Sequence, residues 1–410
     1  MVAQKNSFPK NQIKVLLLEN IHPVAKELFV REGYQVELLP SALSPEQLKE
    51  KIRDVHILGI RSKTQVTAEV LADAKRLLTI GAFCIGVNQI DLKSARLHGI
   101  PVFNAPFGNT RSVAELVLGE VIALARQLGQ RSQEMHQKTW KKTHQQCFEV
   151  RGKTLGIVGY GNIGTQVSTL AESLGMNVMF YDTLSKLPRG NSKSMHSLSA
   201  LLQVSDFVTL HVPSTPQTHM MMGAPEIALM KKGAYLINAS RGTVVDIAAL
   251  VEGLKSGQVG GAALDVYPEE PEGNTTSFST PLQGLHNVIL TPHIGGATEE
   301  AQGNIGEEVP VTLIRFVNSG TTLGSVNFPS VDLPPTHDNH RILNAHKNVP
   351  GVLSEINKIL AGLGANIEAQ TLATDSDIGY LVIDTDKEMS QDVKHAIEGV
   401  KASIRTRILY

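Results

Sequence analysis

Three residues able to handle charge and protons each follow an apolar run: Arg241 after AYLINAS, Glu270 after ALDVYPE and His293 after ILTP. A charged group at the mouth of a buried strand is costly unless water, a counter-ion or a ligand meets it. Taken singly, each reads as a surface or capping group, Arg241 for instance pairing with Asp246. Taken together they form a chemical set. Arginine presents a planar, two-pronged donor to a carboxylate and polarises an adjacent carbonyl. Histidine exchanges protons near neutrality, and a carboxylate beside it raises its pKa and fixes the ring.

The elements that must position this set form an α/β pattern from Lys153 to about Pro292. Strand-like TLGIV, NVMFY, FVTLHV, AYLIN, GAALDV and VILTP are joined by helical stretches, which predicts a doubly wound parallel sheet. Ligands of such sheets bind beyond the carboxyl ends of the strands, where all three residues fall. Directly after TLGIV, the glycines Gly159, Gly161 and Gly164 spell GxGxxG before a helix. The first permits a tight turn, the second lets backbone approach a pyrophosphate, and the third packs helix on strand. Asp182 ends the next strand, roughly 20 residues beyond the loop, as a dinucleotide fingerprint requires. A carboxylate there accepts from both ribose hydroxyls and repels a 2′-phosphate, which favours NAD over NADP.

Two further patterns flank this one. IKVLLLEN, YQVELLP, VHILGIRS, LLTIGAFCIGVN and PVFNAP alternate with helical stretches over the first hundred residues, a second parallel α/β sheet. SVAELVLGEVIALARQLG then reads as a helix apolar around much of its circumference, hence buried. The polar segment QRSQEMHQKTWKKTHQQCFEV holds Trp140, a surface anchor or part of an arm reaching a neighbouring subunit. Past the Pro-rich VNFPSVDLPPTHDNH, the last seventy or so residues order as βαββαβ, a ferredoxin-like unit.

Lys plus Arg number 38 against 39 Asp plus Glu, so no global field draws nucleic acid or an anionic membrane. Cys84 and Cys147 lack metal-ligand spacing and suit a reducing cytoplasm. The stretch MVAQKNSFPKNQ has no apolar signal region, and no apolar run approaches the ~20 residues that span a bilayer.

GYGNIGTQV, NASRGTVVD, ALDVYPEEP and LTPHIGG resemble the signature segments of D-isomer-specific 2-hydroxyacid dehydrogenases, and NAPFGNTRSVAEL resembles their link into the cofactor domain. The terminal βαββαβ unit resembles an ACT domain, an amino-acid-sensing module. The resemblance implies a substrate-binding domain over 1–108 and 297–336, a Rossmann NAD-binding domain over 109–296, and an ACT regulatory domain over 337–410. It makes Arg241 the substrate-carboxylate and carbonyl residue, Glu270 the partner and His293 the acid/base. Asn162, Ile163, Asp182, Ala239, Ser240, Arg241, Asp265 and the turn His293, Ile294, Gly295, Gly296 would line the cofactor site. Arg61, Ser62 and Asn109 would meet the substrate, with Lys142 reaching a phosphate across a dimer interface. Arg341, His346, Asn348 and Asn366 would bind an effector.

The implied substrate is a phosphorylated 2-hydroxy acid, the implied effector L-serine, and the implied assembly a homotetramer. Alternatives are a glyoxylate or hydroxypyruvate reductase of the same family, or an NAD-sensing corepressor built on this fold. The sensing module and the cluster Arg61, Lys63 and Lys142 favour the phosphorylated substrate over the first. The retained Arg/Glu/His set argues against the second. Two departures stand out: Pro40 replaces an expected lysine, and the link THDNH lacks the family's glycine pair, which implies weaker coupling of regulation to catalysis.

Overall fold

In a computed structural model, which describes residues 9–271, 276–334, 340–386 and 390–409, the strands assemble into three sheets. The first contains β1 (Lys14–Leu17), β2 (Gln35–Leu38), β3 (Ile57–Ile60), β4 (Thr79–Ala82) and β5 (Val102–Phe103), all parallel, in the order β2-β1-β3-β4-β5. The second contains β6 (Thr154–Val158), β7 (Asn177–Tyr181), β8 (Lys193–Ser194), β9 (Phe207–Leu210), β10 (Ala234–Asn238), β11 (Val259–Leu264) and β12 (Val288–Leu290), again all parallel. Its order β12-β11-β10-β9-β6-β7-β8 reverses direction beside β6, the switch point where ligands of such sheets sit. Every residue of β3, β4, β9 and β10 is buried, as expected of parallel strands covered on both faces.

The third sheet is antiparallel, with β13 (His340–Lys347), β14 (Ile367–Thr374), β15 (Ile378–Thr385) and β16 (Ser403–Leu409) in the order β14-β15-β13-β16. Helices Val352–Leu363 and Ser390–Glu398 bury Ile356, Leu360, Val393 and Ile397 against Ile342, Leu381 and Ile383 on one face. Phe328 and Val331 pack with Leu343, Tyr380 and Val382. This βαββαβ sheet belongs to one compact unit with the first sheet, Met1–Gly108 plus Gln302–Tyr410; Asn109–Ala301 forms the other. Within the first unit Tyr380 donates to the Gly320 carbonyl at 2.6 Å, and Arg96 pairs with Asp377 at 2.7 Å.

Three details depart from the sequence reading. The apolar run LLTIGAFCIGVN yields a strand only over Thr79–Ala82. The second sheet gains β8, two exposed residues at its edge with no hydrophobic signal to betray them. The polar arm begins as a helix, Leu128–His136, reached from helix Thr110–Arg126 through Gln127 at φ 54°. The glycine-free stretch Thr336–Asn339, and with it the expected 336/337 boundary, lies outside the described residues.

Candidate active site

The glycine loop leaves β6 at Gly159, whose φ of +91° is left-handed and whose missing Cβ would stand 2.3 Å from the His211 carbonyl oxygen. A Cβ on Gly164 would lie 2.2 Å from the Gly159 carbonyl oxygen, so helix Asn162–Ser173 packs directly on the loop. Around Gly161 the corresponding position is open, with no atom of the described residues within 4 Å. That open backbone, set at the start of a twelve-residue helix, fits the pyrophosphate of a dinucleotide. Ile163 packs on the core while Asn162 is exposed at the helix start. Asp182 completes the cradle: its two oxygens accept from the Tyr160 N–H at 2.8 Å and the Leu184 N–H at 2.9 Å.

At the end of β10, the buried Asn238 accepts from both the backbone and hydroxyl of Ser240 and donates to the Arg241 carbonyl. This ties Ala239–Arg241 into a fixed hook. The Arg241 side chain, half-buried, donates through Nη1 to the Ser240 carbonyl at 2.7 Å and makes no other hydrogen bond among the described residues. Asp265 follows β11 and is 1 % exposed. Its carboxylate accepts from Thr291 Oγ1 at 2.6 Å and from the Ile294 and Gly295 N–H groups, each at 2.7 Å. Asp265 therefore clamps the turn on which His293 stands.

Glu270 accepts the Tyr267 N–H at 3.0 Å through one oxygen and meets His293 Nδ1 at 2.6 Å through the other. His293 itself is left-handed, at φ 54°. The bond to Glu270 raises the His293 pKa and outweighs the opposing effect of burial. Burial pushes Glu270 up, yet its bonds to His293 and Tyr267, with the charges of His293 and Arg241, hold it below the usual carboxylate value. With Nδ1 engaged, Nε2 is the end of the ring left for exchange with a ligand, and half of the side chain, 51 %, is exposed.

Three residues near the site carry no motif. Glu120, on the apolar helix Thr110–Arg126, is 3 % exposed, and neither oxygen has a hydrogen-bond partner among the described residues. Burial, reinforced by the Asp265 charge, pushes its pKa up to about 8, so at neutral pH it is mostly uncharged. A glutamate inside SVAELVLGEVIALARQLG was the available signal. Tyr267 and Thr291, which orient Glu270 and Asp265, flank the motif residues and carry no signal of their own.

Of the remaining candidates, Asn109 stands at the start of helix Thr110–Arg126 without a side-chain capping bond and lies against the turn, since a Cβ on Gly296 would be 2.7 Å from its Nδ2. Arg61 and Ser62 follow β3 in the other unit. Lys142 is exposed on the irregular stretch that carries Trp140. His346 is buried on β13 against Asn344, and burial lowers its pKa. Asn348 donates to the Asp375 carbonyl at 2.6 Å, while the exposed Asn366 lies beside Thr385. The register of β13, β14 and β15 places Asn348 and Asn366 at opposite ends of the sheet, so the effector candidates do not converge within one chain. Arg341 differs from expectation. It is 2 % exposed, takes both Asp384 oxygens at 2.6 and 2.8 Å, and donates to the Ser319 and Pro334 carbonyls. With every guanidinium nitrogen engaged, it is an anchor of the fold.

Comparisons with known proteins agree with this geometry. Residues 118–295 match the model of the D-isomer specific 2-hydroxyacid dehydrogenase NAD binding domain, and 342–405 that of the AHAS small subunit-like ACT domain. A D-3-phosphoglycerate dehydrogenase of Dictyostelium discoideum is 54 % identical over 98 % of this chain and 99 % of its own length. That of Escherichia coli strain K12 is 52 % identical over 99 % of this chain and 100 % of its own. Among solved structures, a glyoxylate reductase from Paecilomyes thermophila aligns with a TM-score of 0.69 at 27 % identity, over 77 % of this chain and 98 % of its own. A D-lactate dehydrogenase from Aquifex aeolicus complexed with NAD and lactic acid gives 0.66 at 28 %, over 77 % and 100 %. These likenesses, and a glycine loop with Asp182 that suits NAD, have one reading: the chain belongs to the D-3-phosphoglycerate dehydrogenases, within the D-isomer specific 2-hydroxyacid dehydrogenase family.

Proposed function

We propose that this chain oxidises D-3-phosphoglycerate to 3-phosphohydroxypyruvate, the first step of L-serine biosynthesis. The observation that carries the reading is the 2.6 Å contact between His293 Nδ1 and Glu270, beside Arg241, at the strand ends of the cofactor sheet. NAD, when bound, accepts the hydride that leaves C2. Arg241 holds the substrate carboxylate with its uncommitted donors and polarises the nascent carbonyl. His293 Nε2 takes the proton of the C2 hydroxyl, and Glu270 stabilises the imidazolium that forms. Arg61, Ser62 and Asn109 meet the substrate, with Lys142 supplied to its phosphate from a second copy. The test is turnover of D-3-phosphoglycerate with NAD against glyoxylate reduction with NADH at equal concentration. Faster glyoxylate turnover would favour the reductase reading, and absence of hydride transfer the corepressor one.

Feedback by L-serine belongs to the same reading. All residues of the edge strand β14 except Ala373 are exposed, and such an edge invites a strand from another copy. Antiparallel pairing of two β14 strands would set Asn366 of one copy against Asp375 of the other, whose carbonyl Asn348 already holds. That juxtaposition gathers amide groups suited to a free amino acid. Trp140, 80 % exposed on its arm, offers a second self-association face, and two such faces build a homotetramer. Both cysteines are free, which suits a reducing cytoplasm, and no helix among the described residues is long and apolar enough to cross a membrane. Sedimentation with and without L-serine, and turnover against rising L-serine, test the assembly and the effector; a monomer insensitive to serine rejects both.

A further inference from the structure

The chain leaves β1 through two consecutive left-handed residues, Glu19 at φ 64° and Asn20 at φ 52°. Asparagine tolerates this region; glutamate rarely enters it. The result is a carboxylate turned inward, 7 % exposed, beneath the loop that follows β3. One Glu19 oxygen accepts the Arg61 N–H at 3.1 Å and the Thr64 N–H at 2.9 Å, and the other the Lys63 N–H at 3.0 Å. Gln89, itself buried, holds the Arg61 carbonyl at 2.5 Å and the Gly86 carbonyl at 3.3 Å. Arg61 is thus fixed at both its N–H and its C=O.

Three converging N–H groups would otherwise form a concavity able to take an anion for themselves. Glu19 occupies that concavity. With the backbone turned inward onto Glu19, the half-buried Arg61 and the exposed Ser62 and Lys63 are held in one loop shape before any ligand arrives. We infer that Glu19 is a positioning residue for the phosphorylated substrate: it presets the loop from which Arg61 contacts the ligand, and touches no ligand atom itself. This rests on the reading of Arg61 as a substrate residue.

The experiment compares Glu19→Ala, Glu19→Gln, Arg61→Ala and the double variant Glu19→Gln with Arg61→Ala, by steady-state oxidation of D-3-phosphoglycerate. Because a misplacement of about 1 Å costs on the order of 10²-fold, Glu19→Ala should lower kcat/KM for the substrate by roughly that factor, chiefly through KM. Glu19→Gln should lose less, since its amide oxygen still accepts two of the three N–H groups. The KM for NAD should not move, because the cofactor cradle lies in the other unit. In the Arg61→Ala background the Glu19→Gln penalty should vanish, whereas full additivity would overturn action through Arg61. A raised KM in Arg61→Ala with none in either Glu19 variant overturns the inference and leaves the reading of Arg61 intact. Silence of Arg61→Ala overturns both. If Glu19→Ala does not fold, the Gln variant and the double variant decide; a parallel rise in both KM values marks a purely structural role and also overturns it.

Discussion

Arg241 and Arg341 are the same residue type used in opposite ways. Arg241, beyond β10, keeps most of its donors uncommitted among the described residues, beside a His293 that is half in solvent. Arg341, in β13, is sealed at 2 % exposure with every nitrogen engaged by Asp384 and two carbonyls. A charge placed to act keeps unused hydrogen-bonding capacity; a charge placed to hold has none left. The strand-end rule locates the first kind, whereas the second is recognised only when its partners are known.

The largest expected effect lies on the open side of this contrast. On the proposed mechanism His293→Ala removes the proton carrier, and general acid–base catalysis contributes ~10²–10⁴-fold, so turnover should drop by that factor while thermal stability holds. Near-normal turnover in a steady-state assay would remove His293 from the chemistry.

The two arginines can be set against each other directly. Arg241→Ala should cost on the order of 10²-fold in kcat with little change in unfolding, as expected when a donor to developing charge is lost. Arg341→Ala should do the reverse, because Asp384 is left buried without its partner, at a cost of about 3–5 kcal/mol. Denaturant unfolding beside kcat measures both. If Arg341→Ala lowers kcat with unfolding unmoved, the contrast fails.

Much of the open side was legible in the sequence because its chemistry is local. GxGxxG, the Asp182 spacing and three polar residues after apolar strands all lie within a few residues of the elements that define them. The closed side is long-range: Arg341 meets Asp384 43 positions on, and nothing in RILNAH announces it. The commitment of Asp265 to the turn at 294–295 was hidden for the same reason, as was the bonding of Glu19 to residues more than 40 positions away. Glu120 was visible as a charge in an apolar helix, but its lack of a partner among the described residues depends on packing that no periodicity encodes.

The cofactor end offers a smaller test. Asp182→Ala should weaken NADH binding and relax discrimination against NADPH, since the ribose hydroxyls lose an acceptor and a 2′-phosphate its repulsion. The Tyr160 and Leu184 N–H groups would also lose theirs, so the loop itself should loosen. A wild-type protein that already prefers NADPH in competition assays would refute the role of Asp182.

Glu270→Gln refines the picture through pH. In the proposed mechanism oxidation needs neutral His293 as proton acceptor, so the rate should rise as pH climbs through the His293 pKa, which Glu270 holds above its ordinary value. Replacing the carboxylate removes that upward push, and the rising limb of kcat/KM should move to lower pH. A limb that stays in place means that Glu270 does not tune the ring.

The smallest effect concerns the passage from effector to catalyst. Asn348 donates to the Asp375 carbonyl and takes its own N–H to the Asp377 carbonyl, so it is bonded twice to the β14–β15 turn. The side chains of that turn reach Arg96 on helix Leu92–Leu97, at 3.5 Å for Asp375 and 2.7 Å for Asp377. Arg96 Nε in turn holds the Asn327 carbonyl, and Asn327 Oδ1 accepts the N–H of Val102 in β5. This is a continuous route of bonds from an effector candidate into the first sheet. Arg96 and Asp375 are about three-quarters buried, but Asp377 is half exposed, so the pair is worth no more than a surface-grade ~0.2–1 kcal/mol. If serine inhibits through this turn, Arg96→Ala should shift the half-inhibiting serine concentration by at most about fivefold, with kcat in the absence of serine unchanged. A dose–response curve identical to wild type would show that the route carries no coupling, while a change in serine-free kcat would show that Arg96 supports the sheet and not the signal.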